Sequence, residues 1–378
     1  MKSFQDLLRK DLQVREASGA LRTLKSFNSG LLDFSSNDYL GLARSQELSL
    51  QIEDAWASSL NKYNGSTGSR LLTGNSALTE GVEHELAAVF KSEAALLFNS
   101  GYTANLSVLS SLPKRGDTIL YDELSHASIK DGMRLSVATR QPFRHNDLTD
   151  LERKINKAHG NIFVVVESIY SMDGDAAPLV DLSLLCEQHG AHLIVDEAHS
   201  TGIYGENGNG LSCELNLDKK IPVRIYTFGK AIGLHGACVV GSKELITYLI
   251  NFARPFIYTT AMDPKSVLAI STVFKFLPTH SILQKALREK IDYFTAAMHG
   301  VPQLVKSNSA IQSFIVPGNE KVKQIANKLQ VAGLDVRPIL SPTVPEGKER
   351  LRIILHTFNT LSEIDKLIFE LRAVSSPA

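Results

Sequence analysis

The chain has 378 residues, 43% of them hydrophobic, enough for one large domain and a smaller one around a sizeable core. Its 40 Lys and Arg balance 40 Asp and Glu, so the formal charge is zero, whereas an enzyme acting on nucleic acid usually carries a basic surplus to meet the phosphates. Three cysteines, Cys186, Cys213 and Cys238, form no CxxC pair and no zinc spacing; reduced structural thiols are expected, not a disulfide framework or a metal site.

The first stretch, MKSFQDLLRKDLQVREA, carries charge every few residues and lacks the apolar stretch of a signal peptide. It reads as an amphipathic helix. Residues 1–45 read as an arm that closes with LLDFSSNDYLGL, where turn residues interrupt an apolar segment. No run of about 18 apolar residues occurs, so no membrane span is expected and the expected location is the cytoplasm.

From residue 76 helices and strands alternate. SALTEGVEHELAAVFK offers Ser76 or Thr79 as an N-cap and places Val82, Leu86, Val89 and Phe90 on one face. Short β-branched-rich runs follow: AALLF (94–98), TILYD (118–122), IFVVVES (162–168), HLIVDEA (192–198), RIYTF (224–228) and ACVVG (237–241). They are apolar on both faces and mostly separated by helix-length segments. That pattern predicts a mainly parallel sheet covered on both sides, with the ligand beyond the carboxyl ends of the strands. After about residue 276, segments such as SILQKALREKIDYFTAAM, SAIQSFIVP and RLRIILH predict a smaller α+β domain. The expected division is an arm at 1–45, a large α/β domain at 46–276 and a small domain at 277–378.

The polar residues that close the strands carry the functional question. IVDEAHSTG (194–202) places Asp196, Glu197 and His199 directly behind a buried run. Two classes compete for it. DEAH is a nucleotide-hydrolysis signature, and the same acid and histidine could clamp a cofactor ring. Nucleotide hydrolysis needs a GxxxxGK[ST] phosphate loop. Gly229-Lys230 is followed by Ala231 and Gly347-Lys348 by Glu349, and the positions five before those glycines are Arg224 and Pro342. The loop is absent. HExxH and GxSxG are absent too, which removes zincins and the nucleophile elbow.

A cofactor clamp needs a lysine able to form an imine, an acid for a ring nitrogen, a phosphate cradle and a stacking group. YTFGKAIGLHGA (226–237) supplies Lys230 in a glycine-rich loop after a strand. FNSGYTANLSVL (98–109) supplies a turn that opens a helix, where free amides suit a phosphate. DELSHASIKDG (122–132) places His126, and ESIYSMDGD (167–175) places Ser171, just past other strands. Each has an ordinary structural reading as well: a lysine after a strand is usually solvated, a loop histidine often only caps, and Glu197 reads as structural.

At this point the sequence resembles a known family, the α-oxoamine synthases, pyridoxal 5'-phosphate (PLP) enzymes of the aspartate-aminotransferase fold, fold type I. The segments that carry the resemblance are DFSSNDYLGL, GSTGSRLLTGN, FNSGYTAN, LSHASI, SMDGDAAPL, DEAHSTG, TFGKAIGLHGA, SPTVP and RLRI, in matching order and spacing along nearly the whole chain. The resemblance implies that Lys230 carries PLP and acts as the base, and that Asp196 pairs with the ring nitrogen. His199 and Ser171 would contact the phenolic oxygen. His126 would stack on the ring and face substrate, and Gly101, Tyr102 and Thr227 would hold the phosphate, Tyr102 mainly through its backbone. Arg22, Asn37, Thr343 and Arg352 match substrate-binding positions, although Arg22 also reads as a solvated arginine of a helix of mixed charge. A homodimer with the site at the subunit interface is implied.

Members of the family condense an amino acid with an acyl thioester and release carbon dioxide. GSTGSRLLTG (65–74) is most similar to the members that use alanine and a pimeloyl donor in biotin synthesis. The donor's carrier, coenzyme A or acyl carrier protein, stays open. Some of these members have an arginine before PPTVP, where this chain has Leu340 before SPTVP. Two alternatives remain: a sister synthase using glycine or serine, which would share every clamp residue, and a non-catalytic partner subunit, against which the retained Lys230, Asp196, His199 and His126 argue.

Overall fold

The computed structural model describes residues 3–24, 30–60 and 62–375; residues 1, 2 and 25–29 of the expected arm lie outside these. The chain divides into two compact units. One comprises Asn37–Ser171 and Ala176–Ala286, the other the residues up to Ser36, Met172–Asp175 and Leu287 onward.

The first unit is built on a seven-stranded sheet. Its strands are β1 (Ala94–Phe98), β2 (Thr118–Asp122), β3 (Thr139–Phe143), β4 (Ile162–Glu167), β5 (His192–Asp196), β6 (Val223–Thr227) and β7 (Ala237–Gly241). The spatial order is β1-β7-β6-β5-β4-β2-β3. All pairings are parallel except those of β7, which runs antiparallel to β1 and to β6. The reason is the connection: Phe228–Gly236 is too short for a crossover, so the chain must return as a hairpin. The Phe228 amide bonds Gly236 O and the Leu234 amide bonds Phe228 O, which closes that hairpin. The carboxyl ends of β1, β2, β4, β5 and β6 therefore share one edge.

The central runs are buried because helices cover both faces. Ile119, Ile194, Ile225 and Val239 are fully buried and join one core with Ala104, Val108 and Leu109 of helix α2 (Gly101–Ser111) and Ile129 and Met133 of helix α3 (Ala127–Leu135). Gly132 lets α3 lie close to α2; a Cβ there would come within 3.0 Å of Asn105 O and Leu109 Cβ. Strand β3 is the one that the apolar runs did not announce. TRQPF pairs only with β2, and four of its five residues are exposed; an edge needs neither two apolar faces nor a full set of donors, so it accommodates Pro142.

Helix α1 (Ala77–Val89) precedes β1 and starts at Ser76, whose side chain accepts from Thr79 N. Its buried face also holds Glu83, and that acid has a job. Oε1 accepts from Leu97 N at 2.8 Å and from Arg70 Nη1 at 2.7 Å, while Oε2 accepts from Arg70 Nη2 at 2.9 Å. The GSTGSRLLTG segment is thus tied to the sheet by a two-pronged ion pair.

The second unit has a three-stranded antiparallel sheet in the order Arg337–Ile339, Arg350–Ile354, Ile311–Ile315. Helices Asn319–Val331 and Leu361–Ser375 bury Val322, Leu329, Leu367 and Leu371. Leu32–Asp33 pairs in parallel with Leu334–Asp335. Met172–Asp175 belongs here because Ser307 and Ser313 donate to Gly174 O and Met172 O and Arg350 pairs with Asp173. The N-terminal helix Phe4–Ala17 has a Ser3/Asp6 capping box and no buried residue. No single described helix is long and apolar enough to cross a membrane.

Arg70→Leu should destabilise the protein by about 3 kcal/mol, because it leaves Glu83 charged and poorly solvated. Urea unfolding measures it, and the double variant Arg70→Leu/Glu83→Gln should recover part of the loss.

Candidate functional site

The shared edge of the sheet carries one cleft, lined by residues from five strand ends. Beyond β1, Ser100 caps α2 by accepting from Thr103 N. The amides of Gly101 and Tyr102 precede any helical acceptor, so they and the helix dipole could hold an anion. Opposite them lies Thr227 at the end of β6. Its Oγ1 is buried and has no partner within the protein. Only glycine fits at 101, since a Cβ there would lie 2.3 Å from Thr227 Cγ2. Tyr102 is 44% exposed, and its hydroxyl donates to Asp131.

Asp196 closes β5 and is 4% exposed. Each carboxylate oxygen accepts one hydrogen bond: Ala198 N donates to Oδ1 at 2.9 Å and Asn105 Nδ2 donates to Oδ2 at 2.7 Å. Those donors offset the cost of burying the charge. Glu167 closes β4 in register beside Asp196. Burial, then the negative charge of Asp196, pushes its carboxyl up to about 8, so it is neutral at pH 7. It accepts from His126 N at 2.6 Å, which fixes the start of α3.

His126 is the N-cap of α3 and lines the cleft. Its Nδ1 accepts from Ser128 N at 3.2 Å and lies 2.8 Å from Ser128 Oγ. Burial lowers its pKa below the usual histidine value, giving a neutral ring. Lys230, in the β6–β7 hairpin, is half-buried, with Nζ 2.8 Å from His199 Nε2. His199 Nδ1 lies 2.6 Å from Tyr39 Oη, and Tyr39 donates to Asn37 Oδ1 at 3.1 Å. A polar chain thus runs from Lys230 to Asn37, which lines the cleft.

Of the residues expected from the sequence, Gly101, Tyr102, His126, Asp196, Thr227, Lys230 and Asn37 line this cleft, and His199 adjoins it through Lys230. Ser171 is buried at 9% exposure and is not among the lining residues. Arg22, Thr343 and Arg352 belong to the second unit. There Arg22 Nη2 donates to Thr343 Oγ1 at 3.0 Å, and Arg352 stands on the central strand of the small sheet at 9% exposure. The sequence reading missed Glu167, Asn105, Ser128 and Tyr39. A signal existed for Glu167, which closes IFVVVE as Asp196 closes HLIVD. Asn105 had one too, lying four residues after Gly101 and so on the same helix face.

Known proteins resemble this chain over most of its length. The family model for aminotransferases of class I and II matches residues 29–368. The chain belongs to that family, in its α-oxoamine synthase branch. An 8-amino-7-oxononanoate synthase of Emericella nidulans is 38% identical over 391 residues, covering 97% of this chain and 95% of its own. A solved 8-amino-7-oxononanoate synthase from Francisella tularensis has 29% identity and a TM-score of 0.79, covering 92% of this chain and 98% of its own. A serine palmitoyltransferase from S. paucimobilis with bound PLP–myriocin has 26% identity and a TM-score of 0.88, covering 98% of both chains.

In this α-oxoamine synthase, Glu167 makes stability depend on pH. The folded chain holds its proton up to about 8, whereas an unfolded glutamate titrates near 4.5. Its contribution is therefore complete below about pH 4.5 and is lost as pH rises through about 8. Urea unfolding without added cofactor should show the parent losing more stability than Glu167→Gln between about pH 5 and about pH 9.

Proposed function

We propose that this chain is a PLP-dependent acyltransferase that joins L-alanine to a pimeloyl thioester. The products are 8-amino-7-oxononanoate, carbon dioxide and the free thiol carrier, a step of biotin biosynthesis. The observation that carries the reading is the single cleft in which Lys230, Asp196, His126 and the Gly101–Thr227 cradle meet. The residues fit the cofactor. The orphaned Thr227 Oγ1 and the open amides suit a phosphate, and the buried, doubly hydrogen-bonded Asp196 suits a protonated ring nitrogen.

When bound, PLP supplies a carbonyl that takes up amines and a ring that accepts an electron pair. Lys230 offers the amine for attachment, and Nζ, held by His199, is placed to take the proton from the amino acid's α-carbon. Asp196 would hold the proton of the ring nitrogen by its charge. Ser171 and His199 are assigned to the phenolic oxygen and His126 to the ring face. Asn37, Arg22, Thr343 and Arg352 are assigned to substrate; a guanidinium fork suits the amino acid's carboxylate or the distal carboxylate of the pimeloyl chain.

Relatives named 8-amino-7-oxononanoate synthase reach 40% identity, against 26% for the serine palmitoyltransferase neighbour, which supports the alanine and pimeloyl reading. The structural likeness to the latter, with its TM-score of 0.88, keeps a serine user as the second reading. A homodimer is part of the proposal, supported by large apolar side chains left open on the first unit: Tyr63 at 65%, Leu72 at 82% and Tyr258 at 72% exposure. We place the enzyme in the cytoplasm, where its buried thiols stay reduced.

Two outcomes test the reading. In competition assays with alanine, glycine and serine against pimeloyl, acetyl, succinyl and palmitoyl donors on both carriers, alanine with pimeloyl should have the highest kcat/KM. Preference for serine with palmitoyl would move the chain to the sister activity. Asp196→Asn should still bind PLP but lose about 10²-fold or more in turnover, because an amide cannot hold the ring proton by charge; a loss of only a few-fold would remove that role from Asp196.

A further inference from the structure

We infer that Asn105 is a positioning residue whose one side-chain amide orients Asp196 and, through Ser128, reinforces the Nε2–H tautomer of His126. The inference deepens the proposed function, because it concerns the two groups assigned to the edge and the face of the cofactor ring.

The geometry fixes the direction of every hydrogen bond in the cluster. Asn105 is 2% exposed, and its Nδ2 has two hydrogens. One goes to Asp196 Oδ2 at 2.7 Å, the other to Ser128 Oγ at 3.0 Å. The opposite amide orientation would set Oδ1 against a carboxylate oxygen, two acceptors face to face. Ser128 Oγ thus accepts from Asn105, and its own proton goes to His126 Nδ1, 2.8 Å away. The Ser128 backbone N–H, which can only donate, also aims at Nδ1, at 3.2 Å. Two donors face Nδ1, so a neutral His126 carries its proton on Nε2.

The consequence is chemical. His126 enters the cleft with an N–H to give and no lone pair to offer at Nε2. It is suited to donate to a substrate oxygen, such as the thioester carbonyl or the amino acid's carboxylate, and not to remove a proton. That leaves Lys230 as the base. The same amide donates to Asp196 Oδ2 and so holds the carboxylate in place. Asn105 Oδ1 is itself buried without a protein partner, so Nδ2 makes all of the side chain's contacts. The α2–α3 contact at Gly132 brings Asn105 and Ser128 together.

The charges that bear on His126 are Asp196, Lys230, Lys130 and Asp131, with neutral Glu167 on its backbone. None of them dictates which ring nitrogen carries the proton; the Ser128 backbone N–H fixes it, and the Asn105–Ser128 pair reinforces it by turning a second donor onto Nδ1. The test is two-bond proton–nitrogen correlation NMR on histidine-labelled, PLP-free protein near neutral pH, with His126 assigned by its loss in His126→Gln. The expected result is an Nε2–H imidazole whose titration midpoint moves up in Asn105→Ala and again in Ser128→Ala. Ser128→Ala leaves the Asn105–Asp196 contact in place, so it keeps the test decisive should Asn105→Ala not fold. An Nδ1–H tautomer in the parent, or an unmoved midpoint in the folded variants, overturns the inference. A second readout is PLP affinity, expected to fall about tenfold in Asn105→Ala, the value of a hydrogen bond to a charged group. Unchanged affinity would overturn the link to Asp196. A parent that binds no PLP would instead sink the cofactor reading, and the NMR result would still judge Asn105.

Discussion

A carboxylate held at 4% exposure at the end of a buried strand is costly unless its oxygens are bonded, and Asp196 imposes that constraint on everything around it. Ala198 and Asn105 supply donors, one to each oxygen. Glu167, its neighbour in register, is held protonated up to about pH 8 by burial and then by the charge of Asp196. His126 stays neutral under its own burial. The parallel arrangement of β4 and β5 produces the problem, because it brings two acidic strand ends to one edge. The helices that follow β1 and β2 resolve it, because they carry Asn105 and Ser128.

The second constraint is the short hairpin from β6 to β7. It forces the one antiparallel strand into the sheet and presents Lys230 on a loop closed at both ends by backbone bonds. His199, three residues beyond the end of β5, meets Lys230 and is braced by Tyr39. The SSNDYL segment is thereby coupled to the lysine through Tyr39 and Asn37.

Much of the first unit was legible because parallel strands buried on both faces leave continuous apolar runs, and the residues that close them are the ones the chain brings to one edge. What was not legible has local causes. Strand β3 is an edge, so TRQPF has no reason to be apolar. Met172–Asp175 joins the second unit through Ser307, Ser313 and Arg350, partners more than a hundred residues away that leave no local pattern. Glu83 looks like an ordinary surface acid of an amphipathic helix until Arg70 and Leu97 N are seen around it. Asn105 was inside a quoted motif, but its meaning depends on which strand end and which helix it meets. A single sequence does not carry that information.

The central claim is that the cleft holds PLP on Lys230. Borohydride reduction of the PLP-loaded protein, followed by digestion and mass spectrometry, tests it most directly. The account predicts a reduced pyridoxyl group on the peptide that contains Lys230, and a visible absorbance lost on reduction. Label on another lysine, or bound PLP that reduction fixes to no lysine, would contradict it.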